Sequence, residues 1–77
     1  MTSAMQQFIE ETLSAAFPDA KFEVRDTTGG GDHFHVDIAS ARFAGMSMIE
    51  QHRLVYKELG ERVGHEIHAL GLSTKAL

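Results

Sequence analysis

The fold is decided by the stretch FAGMSMIEQHRLVYKELGERVGHEIHAL, which runs from Phe43 to Leu70. Ser47, with Glu50 three residues later, forms the capping-box pattern that begins a helix. Apolar residues and one histidine then recur at spacings of three and four, the period of one helix face. The positions of this stripe are Met48, His52, Val55, Leu59 and Val63.

The borders of this helix are predicted from the residues around the stripe. Ile49 and Tyr56 flank the stripe, whereas Leu54 points away from it and is expected at the surface, where it would suit a partner. Gly60 is read as an interior helix residue that costs about 1 kcal/mol relative to alanine. Gly64 is then the expected C-terminal stop.

A short strand is predicted from Ile67 to Thr74, with Leu70 and Leu72 on one side. His68 lies near its start, where a side chain can emerge from the end of a sheet. The elements that cover this helix and strand must come from the residues before Phe43.

The first part of the chain predicts a helix and two strands. Apolar residues at helical spacing follow a cap at Thr2 or Ser3, and Pro18 ends this helix. Alternating patterns predict strands over Lys21 to Thr28 and His33 to Ala39, joined by a flexible glycine-rich loop. The predicted order is helix, strand, strand, helix, strand, in one small α/β domain of the α+β type that spans residues 1–77.

Composition excludes several classes of function. The chain has no cysteine, so it supplies neither disulfides nor thiolate ligands of its own. Its formal net charge of −4 opposes non-specific attraction to nucleic acid. No apolar run reaches the roughly 20 residues of a membrane helix, and the expected location is the cytoplasm. No serine or threonine stands in a nucleophile motif, and the chain is not expected to be an enzyme.

The five histidines are the candidate metal ligands. His33, His35 and Asp37 share one strand face, which resembles a zinc ligand set, although such a face usually holds no metal. His52 lies on the apolar stripe and is interpreted as a core residue. His65 is placed at a helix end, where a protonated imidazole suits the negative pole of the helix.

Basic residues on the long helix are the candidate nucleic-acid contacts. Arg53 and Lys57 are one turn apart on its polar side, and Arg42 and Arg62 lie near its two ends. Glutamates are interleaved with them, which favours a solvated face over a binding surface. The glycine triplet matches neither a phosphate loop nor the Gly-x-x-Gly clamp of RNA-binding KH domains.

Several motifs together resemble the BolA family, over roughly His33 to Leu72. They are HF and H-V in the second strand, FAG before the long helix, HRLVYKEL within it and IHAL after it. One departure is Gln51, where many relatives have arginine. The resemblance implies a fold similar to class II KH domains, with the helices on one face of a three-stranded sheet.

The resemblance also implies a function. BolA-like proteins pair with monothiol glutaredoxins and share with them a glutathione-assisted [2Fe-2S] cluster, which the isolated protein would not hold. By position in the motifs, His68 matches the cluster-ligating histidine and His33 matches the second ligand, so this chain would be of the histidine type. For His33, an exposed strand residue without a ligand role is an equal alternative.

The resemblance leaves two other functions open. Some family members are transcription regulators of stress response or cell shape, which would use Arg53, Lys57 and Arg42 on DNA. A protein-interaction module without metal is the third reading, and a homodimer is compatible with all three.

Overall fold

The order of elements in the computed structural model, which describes residues 3–63 and 69–77, is the predicted one. A 3-10 turn at Ala41–Phe43 precedes the second helix, and another at Gly60–Arg62 follows it. No helix within these two ranges is long and apolar enough to cross a membrane. The helices and strands are α1 (Ala4–Ala16), β1 (Lys21–Asp26), β2 (His33–Ser40), α2 (Met48–Leu59) and β3 (Ala69–Ala76).

The three strands form one sheet in the order β1-β2-β3. The β1–β2 pair is an antiparallel hairpin in which Val24 lies opposite Val36. The β2–β3 pair is parallel, with Val36 opposite Leu72. A parallel pair needs a crossover between its strands, and α2 supplies it. The long helix therefore determines how β3 reaches the sheet.

Both helices cover the same face of the sheet, as the resemblance to the BolA family implies. The inward side chains of β2, Phe34, Val36 and Ile38, are at most 2% exposed. They form one cluster with buried residues of both helices and of the 3-10 turn before α2. The members contributed by these elements are Ile9, Leu13, Phe43, Val55 and Leu59. The outer face of the sheet carries the polar residues of the alternating pattern.

The buried arc of α2 differs from the predicted stripe. Gln51, Val55 and Leu59 are its buried residues, whereas Met48 is 56% exposed. Leu54 does not point away from the fold but packs, half-buried, against the core. The helix is covered by the sheet and by α1 together, so its contact arc is wider than a single stripe.

The end of α2 was also predicted wrongly. The helix stops at Leu59, and Gly60 is its C-cap, with φ of 73° and ψ of −150°. Its N–H donates to the carbonyl of Tyr56, which closes the last turn. This backbone conformation is essentially restricted to glycine. Gly60 therefore ends the helix, four residues before the predicted stop at Gly64, which lies outside the described residues.

The strand limits are shifted relative to the prediction. β1 ends at Asp26 instead of Thr28, because the Asp26 carboxylate binds the backbone of the following loop. β3 begins at Ala69 and extends to Ala76. Of its predicted first residues, Ile67 and His68 lie outside the described ranges. Leu70 and Leu72 both pack against the core, as predicted.

The sign of the stability change caused by one substitution tests the role of Gly60. An interior helix glycine would gain about 1 kcal/mol of stability on replacement by alanine. Because φ is positive here, we expect Gly60→Ala to destabilise the protein by about 1–3 kcal/mol. Urea unfolding followed by circular dichroism measures this difference. Lys57→Ala, at an exposed position of α2, is the control and should change stability by less than about 0.5 kcal/mol.

Candidate functional site

His33 opens β2 at one end of the sheet, directly after the glycine-rich loop. Its side chain is 41% exposed, and its Nδ1 lies 3.0 Å from Oδ1 of Asp32. When the carboxylate accepts a hydrogen bond from Nδ1–H, the lone pair of the neutral ring is on Nε2. Asp32 therefore determines which nitrogen of His33 can donate to a metal.

The loop before His33 folds back on the carboxylate of Asp26. The Asp26 carboxylate accepts hydrogen bonds from the N–H groups of Thr28, Gly29 and Gly31, at 3.2, 2.8 and 2.8 Å. Gly29 and Gly31 both have positive φ, which lets the backbone wrap around the carboxylate. The loop that leads to His33 is therefore organised around the Asp26 carboxylate.

These hydrogen bonds also change the acidity of Asp26. Burial by itself would raise the pKa of its carboxyl group, but the N–H donors of Gly29, Gly31 and Thr28, together with the charge of His33, outweigh it. The net result is a pKa below the usual 3.8. The loop is thus built around a carboxylate that stays ionised under mildly acidic conditions.

The second predicted ligand, His68, lies outside the described residues, as does His65. The residue that follows His68 in the sequence is Ala69, which begins β3. Ala69 is the register partner of His33, and its N–H donates to the carbonyl of Asp32 at 3.3 Å. The start of β3 is therefore fixed beside the start of β2.

His35 contacts Ser73 on the outer face of the sheet. Its Nε2 lies 3.1 Å from Oγ of Ser73 and 3.4 Å from Oδ1 of Asp37. Its ring covers Gly71, where an added Cβ would lie only 2.6 Å from Nδ1. Asp37 in turn binds Arg25 at 3.0 Å. Among residues 3–63 and 69–77, no three histidines or carboxylates form a metal-binding group, so the zinc set suggested for this strand is not assembled.

His52 lies within the fold, half-buried on α2. Its Nε2 is shielded from solvent and has no hydrogen-bond partner among the described residues. Gln51 beside it is 9% exposed and donates from Nε2 to the carbonyl of Met46 at 3.0 Å. Both residues thus have polar atoms that are shielded from solvent, although the His52 side chain as a whole is only half-buried.

The predicted basic residues fall into two groups. Arg53 and Lys57 are exposed on α2. Arg42 donates from Nη1 to the carbonyl of Ala16 at the end of α1, and its guanidinium lies 4.7 Å from the centre of the Phe17 ring. Arg42 therefore links the end of α1 to the turn before α2.

Comparison with known proteins identifies the family. The model of the BolA-like protein family matches residues 9–77. The chain belongs to the BolA-like family. The DNA-binding transcriptional regulator BolA of Escherichia coli is 36% identical over 77 residues, which cover 91% of this chain and 73% of that protein. This relative is named for regulation and not for an enzymatic activity.

Solved BolA structures have the same fold. The BolA domain of SufE1 from Arabidopsis thaliana matches with a TM-score of 0.89 and 28% identity, covering 99% of this chain and 95% of that one. BolA1 from the same plant matches with a TM-score of 0.85 and 28% identity, over 97% and 94% of the two chains. The predicted small α+β domain, with helices on one face of a three-stranded sheet, is thereby confirmed.

Asp26 and Asp32 are the residues near this site that the sequence prediction missed. Asp26 has a recognisable signal, since an aspartate just before a Thr-Thr-Gly-Gly-Gly run commonly accepts hydrogen bonds from the following backbone. Asp32 has no such signal, because its contact with His33 depends on side-chain geometry that adjacency in sequence does not determine.

The role of Asp26 predicts an acid-sensitive loop. Because its pKa is lower in the folded protein than in the unfolded chain, its contribution to stability is fully present above about pH 4. That contribution is lost as the pH falls through the folded-state pKa. Asp26→Ala should remove it at every pH, and hydrogen exchange at the Gly29 and Gly31 amides should become faster. NMR exchange measurements, with Glu23→Ala on the exposed face of β1 as control, check this result.

Proposed function

We propose that this BolA-like protein pairs with a monothiol glutaredoxin to bind or transfer a [2Fe-2S] cluster, in iron–sulfur trafficking or iron sensing. In this proposal His33 and His68 are its two ligands. The observation that carries the proposal is the register of the parallel strands. His33 is paired with Ala69, the residue that directly follows His68 in the sequence.

The metal ligands that this chain can supply suit a cluster shared with another protein. They do not suit a cluster that this chain would hold by itself. A [2Fe-2S] cluster takes four ligands, and this chain has no cysteine to supply thiolates. Two imidazoles would complete a set begun by one glutaredoxin cysteine and one glutathione thiolate. Imidazole ligands in place of two thiolates raise the reduction potential of such a cluster, as they do in Rieske centres.

The surroundings of His33 fit the role of a ligand. Metal-bound histidines commonly donate their other ring N–H to a carboxylate, which orients the ring and increases its basicity. Asp32 lies at hydrogen-bond distance from Nδ1, so Nε2 is the atom that would bind iron. The loop that leads to this pair is hydrogen-bonded to the Asp26 carboxylate.

The ligand assignment predicts a change in the cluster spectrum. We expect His68→Ala and His33→Ala each to alter the visible absorption and circular dichroism obtained when the protein is mixed with a glutathione-loaded glutaredoxin cluster. Loss of a donor changes the charge-transfer bands of the shared cluster. Loss of partner binding instead gives the spectrum of the cluster that glutaredoxin holds without this protein. Titration calorimetry with glutaredoxin separates these two effects.

His35→Ala is the matched control, because His35 is the next outward residue of β2 and is bonded to Ser73. It should give the wild-type spectrum. A wild-type spectrum from His68→Ala would show that the ligand assignment is wrong, and unchanged far-ultraviolet circular dichroism would establish that each variant is folded.

The second candidate function is DNA-binding regulation. It is favoured by the name of the Escherichia coli relative and by the exposure of Arg53 and Lys57 on α2. The net charge of −4 acts against it, so binding would have to come from this local pair of cations.

A salt titration tests the DNA-binding candidate. If Arg53 and Lys57 contact phosphates, affinity for duplex DNA should fall steeply with salt, and replacing either by glutamine should reduce the slope of log K against log salt by about 1. Lys21→Gln, on β1, should leave the slope unchanged. The absence of binding at low salt would eliminate this candidate.

A further inference from the structure

Asp32 joins the starts of the two parallel strands through two different groups. Oδ1 of its carboxylate lies 3.0 Å from Nδ1 of His33, which opens β2. Its main-chain carbonyl accepts a hydrogen bond at 3.3 Å from the N–H of Ala69, which begins β3. Ala69 directly follows His68 in the sequence. One residue of the loop therefore contacts one proposed ligand and binds the sequence neighbour of the other.

The residues on both sides of Asp32 have hydrogen-bonded main chains. The carbonyl of His33 accepts hydrogen bonds from the N–H of Thr27 at 2.9 Å and from Oγ1 of Thr27 at 3.2 Å. The N–H of Gly31 donates to the Asp26 carboxylate at 2.8 Å. Asp32 therefore makes its two contacts from between two residues whose main chains are bonded to the end of β1 and to the start of the loop.

Gly30 leaves space for the Asp32 carboxylate. A Cβ added at Gly30 would lie 3.2 Å from Oδ1 of Asp32, which is the atom that contacts His33. Gly30 does not share the positive φ of Gly29 and Gly31. An alanine at this position would therefore crowd the carboxylate without the backbone penalty that positive φ imposes.

As an ion pair alone, the contact between Asp32 and His33 would have little effect. The side chains are 38% and 41% exposed, and ion pairs at such positions contribute little to stability. A carboxylate on the N–H of a metal-bound imidazole has a larger effect, because it orients the ring and increases the basicity of the ligand. Negative charge beside an iron–sulfur cluster also stabilises its oxidised state, so its reduction potential falls.

We propose that Asp32 is the positioning residue of this site. Its carboxylate orients His33 so that Nε2 is the ligating nitrogen, and the charge of the same carboxylate lowers the reduction potential of the shared cluster. Its carbonyl keeps the start of β3 beside that histidine. This inference rests on the proposed function, because it takes His33 as a ligand.

Asp37 offers a matched comparison within β2. Its Oδ1 lies 3.4 Å from Nε2 of His35, and its side chain is exposed to a similar degree. Asp37 lies four residues beyond His33 along the strand, which corresponds to about 13 Å. That distance exceeds the Debye length of about 8 Å at physiological ionic strength. Removal of the Asp37 charge should therefore have little effect on a cluster bound at His33.

NMR of the isolated protein tests the orienting role without a cluster. With ¹⁵N-labelled histidine rings, we expect neutral His33 to be mainly the Nδ1–H tautomer. Asp32→Ala removes the acceptor, so the Nδ1–H population should fall, and Gly30→Ala should lower it to a smaller extent. Asp37→Asn should leave it unchanged. Unchanged protection of the Ala69 amide from hydrogen exchange would establish that the start of β3 is still in place.

Redox titration of the cluster shared with glutaredoxin tests the role of the charge. Asp32→Asn removes the negative charge, so it should raise the reduction potential. Asp32→Ala should raise it as well and should weaken cluster binding about tenfold, the lower end of the loss expected when such a carboxylate is removed from a metal site. Asp37→Asn should match the wild type in both measurements.

The outcomes distinguish failure of this inference from failure of the proposed function. Wild-type potential and affinity in both Asp32 variants would overturn the inference, and so would an unchanged His33 tautomer in Asp32→Ala. The proposed function stands in these cases if His33→Ala still alters the cluster spectrum. A wild-type spectrum from His33→Ala would show that His33 is not a ligand, and the inference would then fail together with that ligand assignment.

Discussion

The pairing of β2 on both of its edges is the constraint on which the rest of the structure depends. Its inner side chains, Phe34, Val36 and Ile38, are almost completely buried, and each such residue contributes about 1.5–3 kcal/mol relative to an exposed position. This contribution requires both helices on the same side. β3 pairs in parallel with β2, which a turn alone cannot achieve. The long crossover through α2 follows from that parallel pairing.

Much of this architecture could be predicted from the sequence. The alternating pattern of β2, the capping box at Ser47 and Glu50, and Pro18 after α1 are local signals, and each identifies its element. Both bonds of the predicted capping box are present. The family motifs then specified the sheet and the helix layer that these elements form.

The errors concern features that depend on tertiary contacts. A helical pattern cannot distinguish a glycine inside a helix from a C-cap, and at Gly60 only the backbone angles decide. The buried arc of α2 includes Leu54 because α1 and the sheet both contact this helix, and that arrangement is not encoded in periodicity. The contact of Arg42 with a carbonyl at the end of α1 likewise depends on the tertiary arrangement and has no signal in the sequence.

The parallel register of β2 and β3 has a thermodynamic consequence. It brings together the starts of two strands that are far apart in the sequence, through the hydrogen bond from Ala69 to Asp32. A ligand that contacts both strand starts can bind them jointly only in the native state, so binding and folding are linked equilibria. The melting temperature of such a complex rises with the concentration of free ligand. A ligand held by both strand starts would therefore increase the free energy of unfolding of this small domain.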